Sequence, residues 1–347
     1  TIAVTDVDAN GTNNQTVVHD SKINVIAVND APIVDNATGK GNEDTPIAVK
    51  LTGADVDGTI DHFNLVNTPA NGTFYSDAAG TQPLTNLTNI TATNNGATIY
   101  FKPDANWNGS TPFTYTAVDN QGLTSTTPAT GTITVTAVND APVVDFGSIT
   151  YTENGAPIAI VNNFSITDVD STELTSAKIT LTGIKGEDLI ASQYYKGGND
   201  GTTGTTDLGI SYKLSNDANG NIVIDLTGKA SIASYETLIK SITYADSSNN
   251  PSTTPRGVTI AVTDVDANGT NNQTVVHDSK INVIAVNDAP IVDNATGKGN
   301  EDTPIAVKLT GADVDGTIDH FNLVNTPANG TFYSDAAGTQ PLTNLTN

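Results

Sequence analysis

The chain has 347 residues, neither cysteine nor methionine, and a formal net charge of −24. That charge excludes nucleic acid as an ordinary partner, which needs clustered Lys and Arg, and the lack of Cys excludes disulfides and thiolate metal sites. No apolar run approaches the roughly 20 residues that span a bilayer, so no membrane insertion is expected. Only 6 of the 38 acidic residues are Glu. An Asp excess with abundant Gly, Asn and Thr points to turns between β-strands rather than to helices. So much negative charge repels itself unless a counter-ion neutralises it, and divalent cations suit carboxylates best.

From the N-terminus, Thr1–Asn89 recurs without a change as Thr259–Asn347. A spacer gains length from every copy, whereas an enzyme gains little, so the sequence reads as a window on a longer tandem array. VNDAP occurs at Val28–Pro32, Val138–Pro142 and Val286–Pro290. These strings divide the chain into 1–28, the end of a long domain; 29–138, a short domain; 139–286, a long domain with an extra Gly-, Asn- and Thr-rich stretch at about 186–220; and 287–347, the first part of a second short domain. The Pro that closes each VNDAP fixes φ and removes a donor, which suits a stiff linker entering an edge strand.

The elements between these strings alternate with period two. Phe113, Tyr115 and Ala117 share one face of an expected strand, as do Ile133, Val135 and Ala137, then Ile222, Ile224 and Leu226, then Val258, Ile260 and Val262. Many short strands with turn signals between them predict an all-β chain of sandwiches. One helix is expected near Ser231–Lys240, where Tyr235, Leu238 and Ile239 share a face and Ser231 or Ser234 supplies the cap. The lone Trp107 is expected as a core anchor beside a turn rather than a sugar platform.

Acidic residues recur in one order. The short domain carries Glu43, then Asp55 and Asp57 of a DVD turn, then Asp119 at a strand end; the long domain carries Glu153, then Asp168 and Asp170, then Asp264. Each ends on an Asn-Asp pair, at Asn139-Asp140 and Asn287-Asp288, with Asn29-Asp30 as the first of the three. Calcium takes six to eight oxygen ligands, which clustered carboxylates, Asn amides and backbone carbonyls supply. DVDANG at 264–269 also fits the opening of a calcium loop through Asp264, Asp266 and Asn268, although Val275 stands where an EF-hand needs Glu. The alternative for all of these acids is a solvated turn.

The VNDAP linkers, the NEDTP and YTENGAP starts, the DVD turns and the FTYTAVDNQG strand resemble the cadherin-like, Ig-like tandem repeats of giant bacterial surface adhesins. The resemblance implies a linear array of β-sandwiches with calcium between successive domains. For the first junction it implies Asn29 and Asp30 with Asp55, Asp57 and Asp119. For the second it implies Asn139, Asp140 and Glu43 with Asp168, Asp170 and Asp264. For the third it implies Asn287, Asp288 and Glu153 with Asp313 and Asp315. The Asp-Arg-Glu element of cadherins has no clear counterpart, with Asp104 and Asp246 as stand-ins only. An extracellular, bacterial cell-surface location and a role in adhesion or biofilm follow from the same resemblance.

No HExxH, GxSxG or phosphate-cradling Gly loop is present, and nothing argues for an enzyme. The expected role is a structural extender whose partners are the neighbouring repeats. Two alternatives are surface-glycan binding through Trp107, Tyr194 and Tyr195, and lateral self-association into a filament or layer.

Overall fold

Strand Ala129–Thr136 alternates buried and exposed along its whole length: Ala129, Gly131, Ile133 and Val135 face inward and the intervening threonines face water. This is the period-two signature of a strand with one wet face. Ala137 lies beyond the strand's end and is exposed, so the expected inward face stops one residue earlier. In this computed structural model the described residues are 1–6, 9–11, 15–195, 201–266, 272–343 and 345. They fall into two units, Thr1–Val138 and Asn139–Asn347.

The first unit holds a sandwich of a five-stranded and a four-stranded sheet. The five-stranded sheet runs in the order Ala37–Asn42, Ala129–Thr136, Gly109–Asp119, Ile60–Leu65, Ile90–Thr91. The facing sheet runs Ile33–Val34, Ile47–Ala54, Gly96–Pro103, Gly72–Tyr75. Ala37–Asn42 pairs parallel with Ala129–Thr136, and every other pairing in this sandwich is antiparallel. Val49, Leu51, Phe63, Ile99, Phe101, Phe113, Tyr115 and Ile133 fill the core between the sheets. Gly131 is required there, because a Cβ would sit 2.0 Å from the Phe113 ring. The Tyr115 hydroxyl donates to the Asp35 carbonyl and ties the core to the entering chain.

The second unit contains a larger sandwich. Its main sheet has seven strands in the order Ile149–Thr152, Thr274–Ile284, Arg256–Asp264, Glu173–Thr182, Ile222–Ser231, Ser211–Asn216, Thr203–Thr205. Again the first strand pairs parallel with the last, Ile149 opposite Ile281. A three-stranded sheet (Ile158–Ala159, Thr243–Asp246, Asp188–Ala191) and the pair Val143–Gly147 with Asn162–Thr167 complete it. The stretch at about 186–220 supplies three of these strands, Asp188–Ala191, Thr203–Thr205 and Ser211–Asn216. The helix Ile232–Lys240 is capped by Ser231, which accepts from the Ser234 amide, and buries Tyr235, Leu238 and Ile239. Burying such side chains is worth about 1.5–3 kcal/mol each, which fixes a nine-residue helix too short to persist alone.

The repeated segments have different surroundings. Hairpin Ile2–Thr5 with Thr16–His19 has the same register as its copy inside the large sheet, Ile2 opposite His19 and Ile260 opposite His277. By contrast, Ala37–Asn42 is a strand, while its identical copy at 295–300 forms none.

Candidate metal centre

Strand Arg256–Asp264 buries every second residue, from Arg256 through Val258, Ile260 and Val262 to Asp264. The alternation therefore delivers an Asp, fully buried, to the end of the core. Strand Gly109–Asp119 does the same with Asp119, 2 % exposed. Each of these carboxylates receives the Asn of a VNDAP string. Asn29 Nδ2 donates to Asp119 Oδ2 at 2.7 Å, and Asn139 Nδ2 donates to Asp264 Oδ2 at 2.7 Å. The other oxygen accepts backbone amides: Gln121 and Leu123 for Asp119, Gln273 for Asp264. Burial alone would push Asp119 up, but the Asn29 amide and these backbone donors outweigh it and hold the carboxyl below its ordinary value.

The Asp of each VNDAP meets the second Asp of a DVD turn. The Asp140 amide donates to Asp170 Oδ2 at 3.2 Å and the Asp288 amide to Asp315 Oδ2 at 3.2 Å; the Asp30 amide faces both Asp57 oxygens at 3.4 Å. Within each turn the first Asp folds back on the chain. Asp55 Oδ1 accepts the Asp57 amide, Asp168 Oδ1 accepts those of Asp170 and Ser171, and Asp313 Oδ1 accepts those of Asp315 and Gly316.

The glutamates sit where each sandwich ends. Glu43 Oε1 accepts the Val138 amide at 2.7 Å, and Glu153 Oε2 accepts the Val286 amide at 2.7 Å. Both side chains are 4 % exposed. In the second unit one cluster thus gathers Glu153, Asp288, Asp313 and Asp315. Burial, then the charges of Glu153, Asp315 and Asp313, push the Asp288 carboxyl up. Asp168 is pushed up to about 6, first by burial and then by the neighbouring Asp170.

The buried oxygens that lack any hydrogen-bond partner among the described residues decide whether this set fits a cation. They are Asn29 Oδ1, Glu43 Oε2, Asp55 Oδ2, Glu153 Oε1, Asp168 Oδ2 and Asp288 Oδ2, with the Tyr195 hydroxyl as the single outlier. Six of seven thus belong to the acidic junction set. A buried acceptor without a donor costs about 1–3 kcal/mol, and more when charged. Buried acids elsewhere are treated differently: Asp188 and Asp246 face the guanidinium of Arg256, the only Arg in the chain. Glu43, Glu153, Asp119 and Asp264, equally buried, form no ion pair among the described residues. Oxygen-only donors of this kind fit a hard cation such as calcium. As placed, no three carboxylates or imidazoles among the described residues converge on one point.

The remaining expected residues divide. Asn287 Nδ2 turns back to the Asp288 carbonyl, and the Asp266 amide donates to Asn272 Oδ1. Asn268 lies outside the described residues. Asp246 is committed to the Arg256 pair and to the Ser248 amide, so it is no stand-in for a linker ligand. Trp107 is half-buried and packs against the first core; Tyr194 is half-buried and Tyr195 is 4 % exposed. The pairing of Arg256 with Asp188 has no local motif in the sequence; its one sign there is a sole Arg at the head of an alternating strand.

Residues 29–136 match the family described as Bacterial Ig domain. The match and the strand pairing agree on an Ig-like sandwich for that segment. Among solved structures, the chain is similar to human CDH23 EC21-23, with 15 % identity, 83 % of this chain and 81 % of that one covered, and a TM-score of 0.38. Mouse Cadherin-23 EC22-24 gives 14 % identity, 84 % and 80 % coverage and a TM-score of 0.37. The Protocadherin GammaB4 extracellular domain gives 15 % identity and 0.36; the chain spans 48 % of it. No curated protein matches the chain. No helix among the described residues is long and apolar enough to cross a membrane.

Proposed function

We propose that the chain is a stretch of the extender region of a large bacterial cell-surface adhesin, built from alternating short and long sandwich repeats and stiffened by calcium where one repeat meets the next. The repeats run 29–138 and 139–286, with 1–28 and 287–347 belonging to further copies. The observation that carries this reading is the set of six orphaned buried oxygens, all in residues that recur in the same order around the VNDAP strings. In the second unit the holding set is Glu153, Asp288, Asp313 and Asp315; Asn29, Asp30, Asp55, Asp57 and Asp119, and likewise Asn139, Asp140, Asp168, Asp170 and Asp264, are the linker-side sets of the other strings. Glu43 takes the place of Glu153 in its own unit. Bound there, the ion would supply positive charge that neutralises these acids and would tie the neighbouring segments together. Each sandwich adds roughly 40 Å to the array: its longest strand, of 11 residues in either case, covers about 36 Å at about 3.3 Å per residue, and the linker adds the rest.

Small-angle scattering on the chain in calcium and in chelator tests the stiffening. The expected result is a longer maximum dimension and a sharper profile with calcium; identical profiles would reduce the clusters to solvated turns and the chain to an ordinary spacer.

A further inference from the structure

The loop 247–255 joins Thr243–Asp246 to Arg256–Asp264, and its sequence, SSNNPSTTP, would be free to move if it were merely a connection. Instead it is tied at both ends. The Ser247 amide and hydroxyl both donate to the Glu187 carbonyl at 3.0 Å, and the Asn250 amide donates to Ser248 Oγ at 3.0 Å. Arg256 Nη1 donates to the Ser252 and Thr254 carbonyls at 2.6 Å. The same guanidinium makes a two-pronged pair with Asp188, through Nε at 2.9 Å and Nη2 at 2.8 Å, and the Tyr244 hydroxyl donates to that carboxylate as well. This pair is fully buried, and such a planar fork holds its partners in one geometry.

The tied loop reaches out of its own sandwich. Asn250 Nδ2 donates to the Val314 carbonyl at 3.1 Å, and Val314 is the residue between Asp313 and Asp315. At the loop's base, the Tyr151 hydroxyl bridges the Asp246 and Gly155 carbonyls, which links the loop to the turn that follows Glu153. One hydrogen-bonded frame therefore touches both flanks of the Glu153, Asp288, Asp313 and Asp315 cluster.

We propose that residues 247–255 are a bracket that docks onto the DVD turn of the following repeat, with Asn250 as its positioning residue and Arg256 as its anchor. Its partner is thus the Asp313–Gly316 turn, gripped through a backbone carbonyl and without use of the carboxylates. The purpose assigned to it rests on reading this cluster as a cation junction; the docking itself does not need the ion. The bracket limits the excursions of the turn while the carboxylates still repel, and a cation at the cluster narrows them further.

The lack of cysteine makes a direct test available. Spin labels on introduced cysteines, Ser165→Cys in the large sandwich and Thr326→Cys beyond the turn, report the distance distribution across the junction by dipolar spectroscopy. In chelator, Asn250→Ala is expected to raise the population outside the main distance about fivefold, the factor one neutral hydrogen bond carries, and Asn249→Ala to leave it as it was. Equal distributions for Asn250→Ala and its parent, or equal broadening by both alanines, would overturn the bracket. The cation reading fails separately, if calcium and chelator give one distribution in the parent.

Discussion

Glu153 accepts the Val286 amide through one carboxylate oxygen at 2.7 Å and leaves the other buried with no hydrogen-bond partner among the described residues. Glu43 does the same with Val138. The second oxygen of each is buried as well, so each residue holds the end of its sandwich and carries one further acceptor there.

Glu153→Gln separates the two tasks. The amide oxygen keeps the bond to Val286 while the charge disappears. Without calcium this variant is expected to be at least as stable as its parent, and its calcium affinity at that junction about tenfold weaker, since such affinities follow ligand charge. Paired urea melts and calcium titrations check it; unaltered affinity would remove Glu153 from the ligand set.

The pH dependence has a definite sign. The folded Asp168 carboxyl titrates at about 6 against an ordinary value of 3.8, so the native state holds its proton more tightly than the unfolded chain. Its contribution is fully present below 3.8 and is lost as pH rises through about 6. In chelator, the urea midpoint of the large sandwich is therefore expected to fall across that window, and Asp168→Asn to flatten the fall. A midpoint that rises across the same window in the parent would contradict the assignment.

Removing the guanidinium leaves two buried acids facing each other. Arg256→Leu is expected to cost about 3–5 kcal/mol, the usual penalty for stranding a buried partner. Equilibrium unfolding in urea measures it. A loss under about 1 kcal/mol would mean that Asp188 and Asp246 are neutral in the folded state, a far weaker lock than one between charges.

Gly131 sits under the Phe113 ring, where a Cβ would come within 2.0 Å. Gly131→Ala is expected to destabilise the first sandwich by about 1–3 kcal/mol or more through forced repacking. Thermal melts would show it, and an unaltered melting temperature would mean the two strands part at no cost.

Much of this was legible in the sequence, for physical reasons that particular residues show. The period-two strands and the Ser231 cap depend on neighbours in sequence, and the hairpin around Ile260 and His277 forms with the same register as its copy around Ile2 and His19. Ala37–Asn42 was not legible, because the strand is made by its parallel partner Ala129–Thr136, which lies far along the chain. The acids of the junctions stood out because their order repeats. The hydrogen bonds of Asn29 to Asp119 and of Arg256 to Asp188 span 90 and 68 residues, and no local pattern records such distances.

Calorimetric titration of the chain with calcium at neutral pH tests the central claim most directly, with a variant carrying Glu153→Gln and Asp315→Asn alongside. Saturable binding that stabilises the fold, by about 2.7 kcal/mol at a hundredfold excess over Kd, and that loses sites in the variant is the expected result. No binding at millimolar calcium, or binding that the variant leaves intact, would contradict it.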